Sequence, residues 1–220
     1  MTKLNCCILV AASVFTTTSA IHAGSAMAED RRLAASKLVC STEFPFEKGV
    51  HEIEFGVGVF GSPWSEGTVE RPDMAFAIGE VRAGWMLSNP RGEGFLRGNW
   101  EFLLAAFGGG IFDGPGDLLV GTEMLLRYNF VQPGSRLVPF MQIGGGGVYS
   151  DAAHDDSIQH LIGTDLSFIL EGEIGLRWKF NERCAIHCGL DYRHISNAGL
   201  ARHNAGVNAL GGLIGIGIFY

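Results

Sequence analysis

The chain has 220 residues, a formal net charge of −7 and 47% hydrophobic residues, yet only 18% charged ones, below the roughly 25% of an average soluble domain. That apolar content excludes an intrinsically disordered chain, and 16 Lys plus Arg against 23 Asp plus Glu leave no basic excess for nucleic-acid phosphates. Glycine stands at 32 residues, about twice its usual ~7% share; a Gly-rich, aromatic-rich, charge-poor chain of this size reads as a single domain or a small outer-membrane barrel.

The first segment is an address. Met1-Thr2-Lys3 is a short positive start, Leu4 to Phe15 is mostly apolar, and Ala26-Met27-Ala28 is a small-x-small site before Glu29-Asp30. This pattern predicts a secretory signal peptide over residues 1–28, with Ala23 as a second cleavage point. The apolar run is too short for the ~20 residues of a spanning helix. Residues 29–49 then form a periplasmic lead-in and residues 50–220 the barrel. Cys6 and Cys7 leave with the signal, so the mature chain keeps Cys40, Cys184 and Cys188, an odd number. On a strand Cys184 and Cys188 stand ~13 Å apart, beyond disulfide reach. They read as small apolar residues.

Nothing after residue 28 approaches 18 continuous apolar residues, so no transmembrane helix is expected. Alternation with period two recurs instead. Val50–Phe60 sets Ile53, Phe55, Val57 and Val59 against Glu52, Glu54, Gly56 and Gly58. Met74–Leu87 sets Val81, Ala83, Trp85 and Leu87 against Glu80, Arg82 and Gly84; its first half has the opposite phase, which predicts a bulge near Gly79. Leu96–Phe107 and Leu118–Phe130 follow, carrying Glu101 and then Glu123 and Arg127 on the polar face. Val138–Tyr149 carries Gln142 and the run Gly144–Gly147. Leu166–Phe180 sets Phe168, Leu170, Ile174, Leu176 and Trp178 against Glu171, Glu173 and Arg177. Ala185–Ser196 and Leu210–Tyr220 complete the set.

These are eight strands, each long enough for the ~9–11 residues that cross a bilayer when tilted. One face of each is apolar and aromatic; the other holds glycine and charge. The fold class predicted is all-β, an eight-stranded antiparallel transmembrane β-barrel with a filled polar interior and a lipid-facing exterior. Glu52, Glu54, Glu80, Arg82, Glu101, Glu123, Arg127, Glu171, Glu173 and Arg177 would meet inside and pair there. Gly144–Gly147 lacks the Lys-Ser/Thr and helix of a phosphate-binding loop. Connections at 132–135 and 181–184 are short, whereas 61–71, 150–165 and 197–207 are long. Short periplasmic turns and long external loops then place both chain ends in the periplasm and Ser196 at the outer leaflet. The loop residues His154, Asp155, Asp156 and His160 show no recognised ligand spacing, so no metal is expected.

One segment carries chemistry: Tyr192-Arg193-His194-Ile195-Ser196-Asn197-Ala198-Gly199-Leu200, followed by Asn204, Gly206 and Asn208. His194 and Ser196 share a strand face about 7 Å apart at Cα. That lets a hydroxyl reach an imidazole, the minimum for a base-activated nucleophile. Their phase is that of Ile186, Cys188, Leu190 and Tyr192, the lipid-facing set. An isolated His-x-Ser is equally a polar pair at the membrane rim.

The whole segment, His194-x-Ser196-Asn197-Ala198-Gly199, then Asn204-x-Gly206-x-Asn208 and an apolar strand, resembles the lipid A 3-O-deacylase family, the acyloxyacyl-hydrolase-like outer-membrane esterases. A looser likeness extends to Glu123-x-x-x-Arg127-Tyr128-Asn129-Phe130 and Pro139-Phe140, and the chain ends on an aromatic strand, Phe219-Tyr220. The resemblance implies an integral barrel in the outer membrane of a Gram-negative bacterium. It implies hydrolysis of the 3-position ester-linked acyl chain of lipid A, with His194 as base, Ser196 as nucleophile and no cofactor. The substrate partner would be lipopolysaccharide in the outer leaflet, and a second copy of the chain is a candidate partner. Where relatives carry an acidic residue to orient the histidine, this chain has Asn208. Its amide oxygen can accept from an imidazole N–H but cannot stabilise imidazolium by charge. Asn197, Gly199 and Asn204 are candidates for the oxyanion site or for turn chemistry. Two further readings stay open: a non-catalytic surface or adhesin-like barrel, and a soluble periplasmic lipid-binding barrel.

Overall fold

The structure is a computed structural model, and it describes residues 44–62, 73–154 and 163–220. The expected signal peptide, most of the lead-in, and the loop residues Asp155, Asp156 and His160 lie outside the described residues. Eight strands follow in chain order: β1 (His51–Gly61), β2 (Ala75–Met86), β3 (Asn99–Asp113), β4 (Leu118–Asn129), β5 (Leu137–Ser150), β6 (Leu166–Lys179), β7 (Cys184–Ser196) and β8 (Val207–Phe219). Each pairs antiparallel with the next, and β8 closes on β1 from Glu52↔Phe219 to Gly61↔Leu210. Closure leaves no sheet edge with unpaired backbone groups, which is what a bilayer demands of strands.

The alternation in sequence becomes a two-sided wall. Phe55, Val57, Val59, Leu104, Met124, Ile143, Leu170, Ile174, Ile214 and Ile216 all point outward and are exposed. So continuous an apolar surface is far larger than a soluble monomer shows; it is the belt of a membrane barrel. At the end where β1 begins and β8 finishes, here the terminal end, Trp100, Tyr128 and Phe130 stack edge to face, as do Trp178 and Phe180, with centroids 4.8–5.0 Å apart. Such aromatic clusters mark a membrane interface.

The interior is layered. Its middle holds buried Glu52, Glu54, Glu80, Glu101, Glu123, Glu171, Glu173 and Asp191 around Arg82, Arg127, Arg177 and Arg193. With carboxyls outnumbering guanidiniums among the described residues, each arginine serves several. Arg82 lies 2.6–3.3 Å from Glu54, Glu80, Glu171 and Glu173, and Arg193 lies 3.0–3.5 Å from Glu80, Glu123, Glu171 and Asp191. Gln142 donates to Glu171 and to Glu173 at 2.8 Å. The opposing inner glycines make room: a Cβ at Gly217 would strike Glu52, and one at Gly189 would strike Glu173. The ends are apolar. Phe60, Phe76, Ile78, Phe107, Ile111, Leu119 and Ile169 fill the end opposite the terminal end. Phe46, Met86, Val131, Val138 and Phe219 fill the terminal end, so part of the expected lead-in plugs the barrel.

This layering corrects one expectation. There is no bulge at Gly79; β2 pairs with β3 without interruption from Phe76↔Ile111 to Met86↔Glu101. The apparent change of phase is a change of chemistry on one face: Phe76 and Ile78 point inward just as Glu80 and Arg82 do. The irregularity lies between Ala75 and Phe76, where Phe112 is left without a partner. Loop lengths are also less orderly than expected. Residues 87–98 form a long terminal-end connection with a 3-10 turn at Gly94–Leu96, whereas residues 114–117 make a short one at the other end. The Gly144–Gly147 run lies within β5, where a Cβ at Gly144 or Gly146 would strike the β4 backbone. Cys184 and Cys188 are both free.

Candidate active site

β7 and β8 are neighbours joined by the loop at residues 197–206, and their register sets His194 opposite Asn208. In each strand the outward positions are the even-numbered ones, so Tyr192, His194, Ser196, Asn208 and Leu210 share the lipid-facing side. Directly opposed outward residues have Cβ atoms about 5 Å apart, within reach of a side-chain hydrogen bond. Three polar side chains form a continuous chain there. Asn208 Oδ1 lies 2.7 Å from His194 Nδ1, and His194 Nε2 lies 3.1 Å from Ser196 Oγ.

The direction of these bonds follows from the groups. An amide oxygen only accepts, so Nδ1 carries the ring hydrogen and donates it to Asn208. Nε2 is then left with its lone pair and accepts from the Ser196 hydroxyl. This is the tautomer that can take a proton from serine. All three side chains are half-buried at the end of the barrel where β7 finishes and β8 begins.

The loop that follows holds Ser196 in place. Asn197 is buried and bonded on three sides. Its N–H donates to Asn204 Oδ1 at 2.8 Å, its Nδ2 to the His203 carbonyl at 2.7 Å, and its Oδ1 accepts from Gly199 N–H at 2.9 Å. Leu200 N–H bonds the Asn197 carbonyl at 3.0 Å, around Ala198 and Gly199 at φ 53° and 78°. Two positive φ angles in the centre of a four-residue turn are the type I′ pattern. Asn197, Gly199 and Asn204 are thus brought beside Ser196 by mutual turn bonds. Gly206, at φ 70°, packs against His194 and Ser196: a Cβ there would lie 3.3 Å from His194 Cε1 and 3.4 Å from Ser196 Cβ. A small open cleft beside Ser196 is lined by Ser167, Ile195, Asn197, Asn204, Gly206 and Val207. Ser167 carried no signal in the sequence, because only the β6–β7 register, which sets Phe168 opposite Ser196, brings it alongside.

A family model, lipid A 3-O-deacylase (PagL), matches residues 79–216, well over half of the chain. The chain belongs to the lipid A 3-O-deacylase family. Its fold is similar to the crystal structure of the outer membrane enzyme PagL, at a TM-score of 0.51 and 16% identity, covering 74% of this chain and 97% of that one. It is similar also to Neisserial surface protein A, at a TM-score of 0.50 and 15% identity, covering 78% of this chain and 98% of that one. No curated protein sequence matches the chain. The hydrogen-bonded chain of Ser196, His194 and Asn208 lies within the stretch that the deacylase model matches.

Proposed function

We propose that this protein is an outer-membrane esterase that removes the 3-position ester-linked acyl chain of lipid A, with Ser196 as nucleophile and His194 as general base. The observation that carries this reading is the polar chain Ser196–His194–Asn208 on the lipid-facing side of a membrane barrel. A serine and a histidine on that face are out of place unless the substrate is itself a lipid. Ser196 and its cleft then lie at the outer leaflet of a Gram-negative outer membrane, with both chain ends in the periplasm.

The reaction is an acyl transfer in two steps. Ser196 Oγ attacks the ester carbonyl while His194 Nε2 takes its proton. The tetrahedral oxyanion needs donors; Asn204, whose Oδ1 accepts from Asn197 N–H, has an amide nitrogen left to serve, and Asn197 and Gly199 hold the loop that positions it. Collapse breaks the ester bond, and the sugar oxygen leaves with the proton from His194. Water then attacks the acyl-serine, again deprotonated by His194, releasing a fatty acid and restoring Ser196. Asn208 accepts from Nδ1 throughout and keeps Nε2 facing the serine.

Mass spectrometry of lipid A from Gram-negative cells expressing the chain tests this reading. The expected result is lipid A lighter by one 3-linked acyl chain. Unchanged lipid A from cells with a folded barrel in the outer membrane would make the protein a non-catalytic surface barrel.

A further inference from the structure

Asn208 Oδ1 accepts more than one hydrogen bond. The Tyr192 hydroxyl lies 2.9 Å from the same oxygen that His194 Nδ1 reaches at 2.7 Å. Tyr192 stands on β7 two residues before His194, on the same outward face, and pairs in the ladder with Leu210 rather than with Asn208. Its long ring carries the hydroxyl diagonally across the strand pair to an oxygen that the backbone register assigns to His194.

This convergence answers a problem that an asparagine creates. A carboxylate presents two equivalent oxygens, so either one accepts from the imidazole. A carboxamide has an oxygen at one end and an NH2 at the other, and the two ends are nearly equal in shape. Turned one way, it accepts from Nδ1–H and leaves Nε2 free to receive the serine proton. Turned the other way, its NH2 donates to Nδ1, the ring hydrogen moves to Nε2, and Ser196 loses its base. A second donor aimed at Oδ1 favours the first orientation.

We propose that Tyr192 is a positioning residue: its hydroxyl, donating to Asn208 Oδ1, keeps the amide oxygen toward His194 and so selects the imidazole tautomer that can act as base. The inference rests on the esterase reading above. Tyr192 lies outside the lining of the cleft beside Ser196; it acts on the site through its bond to Asn208 and so through His194.

The test is a mutant cycle on the purified, folded barrel in detergent, with lipid A as substrate. Tyr192→Phe removes one hydroxyl and keeps the ring. It is expected to lower kcat roughly three- to tenfold, the range of one net hydrogen bond, with KM unchanged. In an Asn208→Ala background the same change should cost nothing further, because the residue through which it acts is gone. In an Asn208→Asp background, with no amide to turn, the loss should be clearly smaller than in the native background. Wild-type kcat in Tyr192→Phe overturns the proposal. So does a loss of equal size in all three backgrounds, which marks a packing role. A Ser196→Ala control separates the two levels: full activity there sinks the esterase reading itself, whereas an inactive Ser196→Ala beside a fully active Tyr192→Phe sinks only the role of Tyr192.

Discussion

His194 and Asn208 are direct partners in the β7–β8 ladder, and their side chains meet on the outer wall with Nδ1 2.7 Å from Oδ1. A one-residue slip of this register would send one of the two inside the barrel. A slip of β7 is opposed from both faces, inside by the pairing of Arg193 with Glu80 on β2, Glu123 on β4 and Glu171 on β6, and outside by the apolar belt.

Asn208 is the first place to test that relationship. Asn208→Ala removes the acceptor that fixes the ring and should lower turnover roughly 10- to 100-fold, without loss of the folded barrel. Asn208→Asp supplies two acceptor oxygens and a charge that favours imidazolium, so turnover should equal or exceed that of the native protein. Steady-state rates on lipid A decide the matter; a fully active Ala variant beside an inactive Asp variant would make Asn208 a turn residue only.

Gly206 is the second. Its φ of 70° is a left-handed conformation, costing a non-glycine residue about 1–2 kcal/mol. A Cβ there would also lie 3.1 Å from the Ile195 carbonyl and 3.3 Å from His194 Cε1. Gly206→Ala should therefore reduce activity by displacing the imidazole while heat-modifiable gel mobility stays that of the native barrel. Native turnover in this variant would contradict the close packing of the loop on the site.

Arg82 tests the interior. It sits among Glu54, Glu80, Glu171 and Glu173, all buried. Arg82→Ala leaves four carboxyls without their shared partner, and breaking a buried ion pair from one side costs about 3–5 kcal/mol. Urea unfolding in detergent should show a marked loss of stability, and Arg82→Lys should recover only part of it, since an ammonium cannot reproduce the guanidinium fork. An unchanged midpoint in Arg82→Ala would mean that the network contributes little.

Much of this was legible in the sequence, because a strand has a period of two and a membrane barrel turns that period inside out. The outward phase of Tyr192, His194, Ser196 and Asn208, and the inward phase of Glu52, Glu54, Arg82 and Arg127, follow from counting alone. Phe76 and Ile78 were misread because the inner face is apolar near its ends and charged only in its middle. The bond from Tyr192 to Asn208 could not be counted, since it is diagonal and depends on the β7–β8 register and on the length of a phenol ring. His187, Asp191 and Arg193 lie in phase with the inner face of β7, yet their place in the charged layer emerges only when β7 closes the wall between β6 and β8.

The central claim is that Ser196 and His194 on the outer wall are the nucleophile and base of a lipid A esterase. The most direct measurement is release of fatty acid from lipid A by the purified, folded barrel, compared among the native protein, Ser196→Ala and His194→Ala. Both side chains face outward, away from the packed interior, so both variants should fold and show native heat-modifiable mobility. The account predicts 3-O-deacylation by the native protein and none detectable from either variant; deacylation at the native rate by a folded Ser196→Ala barrel would contradict it.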